Sequence, residues 1–188
     1  MTGETGGTRG RWVDPGKYAR IERERRFLLA APPAPSDITD TWTIGDRYLV
    51  GTRLRLRCVE RPDGGREFKL TQKVPVVRPG AVQGLITNTY LSPAEYDLLA
   101  SLPAGVLSKT RYRIPPVGVD VFDGPLRGLV LAEAEFADDE EARSFVPPPE
   151  CVAEVTDDPR FTGGSLVEAT RRELLRWLAE YGLHPANS

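Results

Sequence analysis

Arginine recurs at every second position along LVGTRLRLRCVE, residues 49–60, so that Arg53, Arg55 and Arg57 share one face of an extended chain. Leu54, Leu56 and Cys58 share the other. A period of two marks a β-strand, because successive side chains point to opposite faces of a pleated backbone. This strand has an apolar side with a core to meet and a side that carries nothing but charge. The pattern returns elsewhere. Residues 18–29 (YARIERERRFLL) put Glu22, Glu24 and Arg26 on one face and Ile21, Arg23 and Arg25 on the other. Residues 66–74 put Lys69, Thr71 and Lys73 together. They follow the turn Pro62-Asp63-Gly64-Gly65, so they form a hairpin with the arginine strand. Residues 107–114 align Lys109, Arg111 and Arg113; residues 117–122 carry Asp120; residues 128–136 carry Glu133 and Glu135. The run GLITNTYL, residues 84–91, is β-rich but uncharged, and Thr87 and Thr89 are expected on the charged side.

Short helices punctuate these strands. Ser92-Pro93-Ala94-Glu95 combines an N-cap serine, a first-turn proline and a glutamate three residues on, which starts a helix over 93–102 with Tyr96, Leu99 and Ala100 facing inward. A second helix is expected over 138–145. A third, over 165–181, is amphipathic, with Leu166, Ala169, Leu174, Trp177 and Leu178 at three- and four-residue spacing and Gly182 closing it. Gly163-Gly164-Ser165 reads as the turn entering that helix and is too short for a phosphate loop. With about seven or eight strands and no alternation of strand and helix, a doubly wound sheet is disfavoured. The organisation is a leader over 1–16, one domain over 17–183 and a tail over 184–188.

Bulk properties narrow the function. The chain has 188 residues, 40% hydrophobic and 28% charged, with a formal net charge of −2. There is no global attraction to nucleic acid or anionic membrane, so neither is expected as a partner. No apolar run reaches the ~20 residues of a membrane span, and residues 1–16 lack the apolar core of a signal peptide; a cytoplasmic location is expected. Cys58 and Cys151 read as two unpaired thiols. His184 is the sole histidine, which disfavours histidine-based zinc sites and Ser-His-Asp chemistry. Acid–base work would fall to carboxylates, lysine, tyrosine or metal-bound water.

One sheet with a solvated face would explain any single charged strand. It explains the set less well, because such a face mixes uncharged polar groups with both signs of charge. If the charged faces line a common lumen, their charges must be paired, hydrated or matched by a ligand. The basic groups outnumber the carboxylates, which invites a polyanion; Arg grips phosphate oxygens in pairs and Lys acts as a point charge. Two carboxylate pairs, Glu22/Glu24 and Glu133/Glu135, invite a hard cation such as Mg²⁺ or Mn²⁺.

At these residues the sequence resembles the CYTH, or triphosphate tunnel metalloenzyme, superfamily. Glu22-Arg23-Glu24-Arg25-Arg26 is similar to that family's opening Glu-x-Glu-x-Lys, with Arg26 in place of Lys. Thr52-Arg53-Leu54-Arg55, Leu70-Thr71-Gln72-Lys73, Lys109-Thr110-Arg111-Tyr112, Val119 to Phe122 and Leu131 to Phe136 follow in the family's order, and residues 154–161 resemble the segment before its last helix. The resemblance spans residues 18–182. It implies an α+β fold built on an eight-stranded antiparallel β-barrel, with peripheral helices and a C-terminal helix. It implies Glu22, Glu24, Glu133 and Glu135 on the metal side. Arg53, Arg55, Lys73, Lys109 and Arg111 would bind the triphosphate, with Arg57, Lys69 and Arg113 as further candidates. Glu22 and Glu24 would hold metal or water, and Asp120 would orient its neighbours. The implied activity is metal-dependent hydrolysis of tripolyphosphate or an organic triphosphate. The alternatives are a non-catalytic polyphosphate- or nucleotide-binding module and a class IV-type adenylyl cyclase. A homodimer is compatible with the family's habit. The chain departs from the family on its fifth strand, where charged residues give way to Thr87-Asn88-Thr89.

Overall fold

The computed structural model describes residues 17–76 and 79–185; the expected leader lies outside them. Nine strands follow in chain order: β1 (Arg20–Leu29), β2 (Asp40–Leu49), β3 (Leu54–Glu60), β4 (Arg66–Pro75), β5 (Val82–Leu91), β6 (Ala104–Ile114), β7 (Val117–Phe122), β8 (Val130–Glu135) and β9 (Cys151–Glu154). All pair antiparallel, in the order β5-β4-β3-β2-β6-β7-β8-β1, and β1 pairs back onto β5 to close an eight-stranded barrel. Closure removes the open sheet edges. The strand β9 lies outside that circle and pairs with β1 alone.

The arginine strand is shorter than its periodicity predicts. Leu49 ends β2, and the chain turns at 50–53, where the Thr52 hydroxyl donates to the Leu49 carbonyl (2.9 Å) and accepts from the Leu54 amide (3.0 Å). The hairpin of β3 with β4 is as expected. The strand β5 begins two residues earlier than the β-rich run suggests, and a bulge interrupts the β1–β5 ladder between Glu22 and Arg23. Gly84 makes that crossing possible: a Cβ there would stand 2.3 Å from the Val74 carbonyl oxygen.

The helices are α1 (Pro93–Ala100), α2 (Asp139–Ser144), α3 (Gly163–Leu166) and α4 (Arg171–Glu180). The capping box at Ser92 and Glu95 forms as expected, and Tyr96, Leu99 and Ala100 are the half-buried residues of α1, on its inward side as expected, although none is fully buried. Tyr96 stacks on Phe68 of β4, with ring centroids 4.5 Å apart. The expected C-terminal helix is two pieces. Thr170 and Glu173 form a second capping box, which starts α4 afresh after a break at 167–170.

Two apolar cores fix the barrel. Outside it, Phe27, Val119, Val130, Ala132 and Ala134 pack with Phe145 beyond α2. At one end, lumen-facing Leu107, Phe122 and Leu131 join Phe161, Leu166, Leu174 and Leu178. The helices α3 and α4 therefore plug part of that end, and each fully buried leucine contributes about 1.5–3 kcal/mol. Among the described residues, no helix is long and apolar enough to cross a membrane.

Candidate active site in the barrel lumen

Strand pairing decides which side chains meet. Arg57 of β3 lies opposite Asp46 of β2 and Lys69 of β4; Arg55 lies opposite Tyr48 and Thr71. Glu24 of β1 faces Glu135 of β8, and Arg26 faces Glu133. Arg111 of β6 lies opposite Asp120 of β7. These alternate side chains surround a cavity of about 1140 Å³. Its lining includes Glu22, Glu24, Glu133, Glu135, Arg53, Arg55, Arg57, Lys69, Lys73, Lys109 and Arg111. Asp120 is fully buried behind that lining, and Arg113 is exposed and outside it.

Charge is sorted around the wall. On one side, Glu22, Glu24, Glu133 and Glu135 project from the neighbouring strands β1 and β8. Lys73 approaches Glu22 at 2.5 Å and Glu24 at 4.0 Å. Arg26, 3% exposed, donates to Glu24 (3.0 Å) and to the Thr156 carbonyl (2.6 Å). Burial, then the charges of Glu133 and Glu22, push the Glu24 carboxyl up to about 7. Burial also opposes ionisation of Glu133, but Arg111, Lys109 and Arg57 outweigh it and hold that carboxyl well below the usual range.

Two buried aspartates organise the cations. Asp120 accepts from Lys109 and takes both ends of the Arg111 fork at 2.6 Å; Arg111 also reaches Glu133. Asp46, 1% exposed, takes the Arg57 fork at 2.6 and 2.7 Å, with Arg55 at 3.7 Å. Burial would raise Asp46, yet Arg57, Arg55 and Lys109 hold it at about 2. Sequence reading missed Asp46, a lone carboxylate in an otherwise ordinary strand. Its period-two spacing from Tyr48, and Tyr48's place two residues before the turn, were the available signals.

The cations of β3, β4 and the turn before β3, where Arg53 falls, are less fully matched. Among the described residues, Arg53 and Lys69 have no carboxylate partner within ion-pair distance. Burial and then repulsion from Arg57 and Arg55 hold the Lys69 ammonium below its ordinary value. A lysine disfavoured by its own neighbours marks a site that gains from an anion.

The expectation for β5 is corrected. Thr71 pairs with Asn88 and Lys73 with Ile86, so Asn88 and Ile86 share the lumen face, while Thr87 and Thr89 pair with the outward Gln72 and Leu70. The Thr71 hydroxyl donates to the Asn88 side-chain oxygen at 2.7 Å. The wall between the basic β4 and the acidic β1 is therefore neutral. Gly163, at the start of α3, lies against the Tyr48 hydroxyl; a Cβ there would stand 1.9 Å from it. The two cysteines are unpaired, as expected.

The carboxylates suit a hard divalent cation in kind. A buried oxygen of Glu22 has no hydrogen bond despite its contact with Lys73. Among the described residues, no three His, Cys, Asp or Glu groups converge as a complete metal cluster.

No family model matches the chain. An inorganic triphosphatase from Nitrosomonas europaea is 28% identical over 156 residues, which cover 77% of this chain and 95% of that protein. A crystal structure of that inorganic triphosphatase superposes with a TM-score of 0.53 at 26% identity, covering 80% of this chain and 96% of the other. A second crystal structure of the same protein gives 0.53 at 28%, covering 79% and 99%. The resemblance in the motifs is thus borne out: this chain closes an eight-stranded barrel consistent with the triphosphate tunnel fold and is similar over most of its length to an inorganic triphosphatase.

Proposed function

We propose that the barrel binds a triphosphate, inorganic tripolyphosphate first among candidates, and hydrolyses a phosphoanhydride bond with a divalent cation. The observation that carries this reading is the sorting of one lumen into an acidic β1–β8 wall and a basic β3–β4 wall. Arg53, Arg55 and Lys69 grip phosphate oxygens, whose charge relieves the repulsion that Lys69 meets from Arg57 and Arg55. Lys109 and Arg111, aligned by Asp120, stabilise charge that builds on the leaving phosphate.

Glu22, Glu24 and Glu135 are the residues that would hold Mg²⁺ or Mn²⁺. One or two of these carboxylates suffice, because Mg²⁺ takes its remaining oxygens from substrate phosphates and water. When bound, the cation neutralises phosphate charge and makes the phosphorus easier to attack. Glu133 is committed to Arg111 and serves as its second anchor rather than as a metal ligand. The neutral β5 favours one other reading, a tunnel that binds the polyanion without turning it over.

Phosphate release from tripolyphosphate, with Mg²⁺ or Mn²⁺ and with chelator, tests the proposal beside Glu24→Gln and Glu135→Gln. Cation-dependent release, lost in both variants, is the expected result. Tight cation-dependent binding without release would replace hydrolysis with the binding module. Neither binding nor release would end both readings.

A further inference from the structure

Asp46 touches neither the cavity nor any group that could react, yet it is among the most completely buried charges in the barrel, 1% exposed. It stands on β2 where the ladder puts it opposite Arg57, and its two oxygens take the Arg57 Nε and Nη2 at 2.6 and 2.7 Å. A two-point fork fixes the plane of a guanidinium as well as its place. Arg55, two residues away on the same face, lies 3.7 Å from the same carboxylate. Arg57 has donors to spare beyond the two Asp46 engages, and it lines the cavity. Lys69, directly across the next ladder, adds a third positive charge. Three cations so close would splay if nothing anionic stood behind them.

The arrangement repeats what Asp120 does for Lys109 and Arg111. A buried carboxylate costs the lumen one positive charge, and a site that needed only to attract a polyanion would do better without it. We propose that Asp46 is a positioning residue that holds Arg57 and Arg55 in line at the expense of substrate affinity. The inference rests on the triphosphatase reading and adds to it a trade between alignment and attraction.

The test uses the full chain and tripolyphosphate with Mg²⁺, measuring affinity by calorimetry and turnover by phosphate release. Asp46→Asn removes the charge but keeps the shape. Turnover is expected to fall roughly 10- to 100-fold, as for a misaligned catalytic group, while Kd stays the same or tightens. Asp46→Glu keeps the charge but displaces the fork; turnover falls and Kd does not change. In Asp46→Asn/Arg57→Gln, the second change adds little to the loss of turnover. That double variant removes the buried Arg57 charge that Asp46→Asn would leave unpaired, so it also serves if Asp46→Asn does not fold. Unchanged turnover in the Asn and Glu variants would overturn the proposal, as would a Kd that weakens in step with turnover. The wild type's own release of phosphate judges the functional reading separately. If that release is absent, affinity alone decides: tighter or equal binding by Asp46→Asn sustains the trade, and tenfold weaker binding refutes it.

Discussion

Glu24 stands directly opposite Glu135 across the β1–β8 ladder, while Lys73 comes no closer to Glu24 than 4.0 Å. Burial, then the charges of Glu133 and Glu22, push Glu24 from 4.5 up to about 7. A carboxyl raised on folding holds its proton more tightly in the folded state, so its contribution to stability is full below about 4.5 and is lost as pH rises through about 7. Without divalent cations, the melting temperature should fall between about pH 5 and pH 7. Glu24→Gln should flatten that slope. Added Mg²⁺ should restore stability at the upper end only, because the cation needs the ionised form. A slope unaffected by the substitution would remove Glu24 from this account.

Asp120 is fully buried and holds two cations. Asp120→Asn leaves Lys109 without its carboxylate and Arg111 with Glu133 alone, and breaking such a buried pair costs about 3–5 kcal/mol. Denaturant unfolding should show a loss of this order. A loss under ~1 kcal/mol would mean that Glu133 alone can hold Arg111.

Lys69→Gln should behave in the opposite way. The ammonium is repelled by Arg57 and Arg55, so removing it should leave stability unchanged or slightly higher while tripolyphosphate affinity falls roughly tenfold, the scale of one charge-assisted contact. Calorimetry and a thermal melt on the same preparation separate the two effects. Lower stability with unchanged affinity would contradict the anion-site assignment.

Gly163→Ala should destabilise by about 1–3 kcal/mol, the usual range for overpacking, because its Cβ would collide with the Tyr48 hydroxyl. Tyr48→Phe removes that oxygen but leaves the ring carbon 2.9 Å from the new Cβ, so the double variant should recover part of the loss. An additive double-mutant cycle would show that the two sites are not in contact.

The charged rows on β1, β3, β4, β6 and β8 were legible because a closed barrel turns a period of two directly into an inside and an outside. The face of β5 was not. Thr87 and Asn88 fit either side equally well by type, and only pairing with Thr71 and Lys73 decides between them. Asp46 was hidden for a different reason: one acid between Ile44 and Tyr48 carries no pattern until Arg57 is placed across from it. The strand β9 is too short, at four residues, for a period to show. The break before α4 depended on a cap at Thr170 that competes with the helical spacing running through it.

The first strand has unusual company. It pairs with β5 through Arg20–Arg23, with β8 through Glu24–Leu28 and with β9 through Phe27–Leu29. All its partners are made later in the chain, the last of them ending at Glu154. Pairings so distant in sequence form slowly, since the intervening loop must close before any contact repays it. A growing chain therefore has its basic β3–β4 hairpin early but cannot oppose Glu24 to Glu135 until residue 135 of its 188 has been synthesised. Closing the barrel and assembling the acidic wall are one event, and a half-made chain has the grip for an anion without the acid wall opposite.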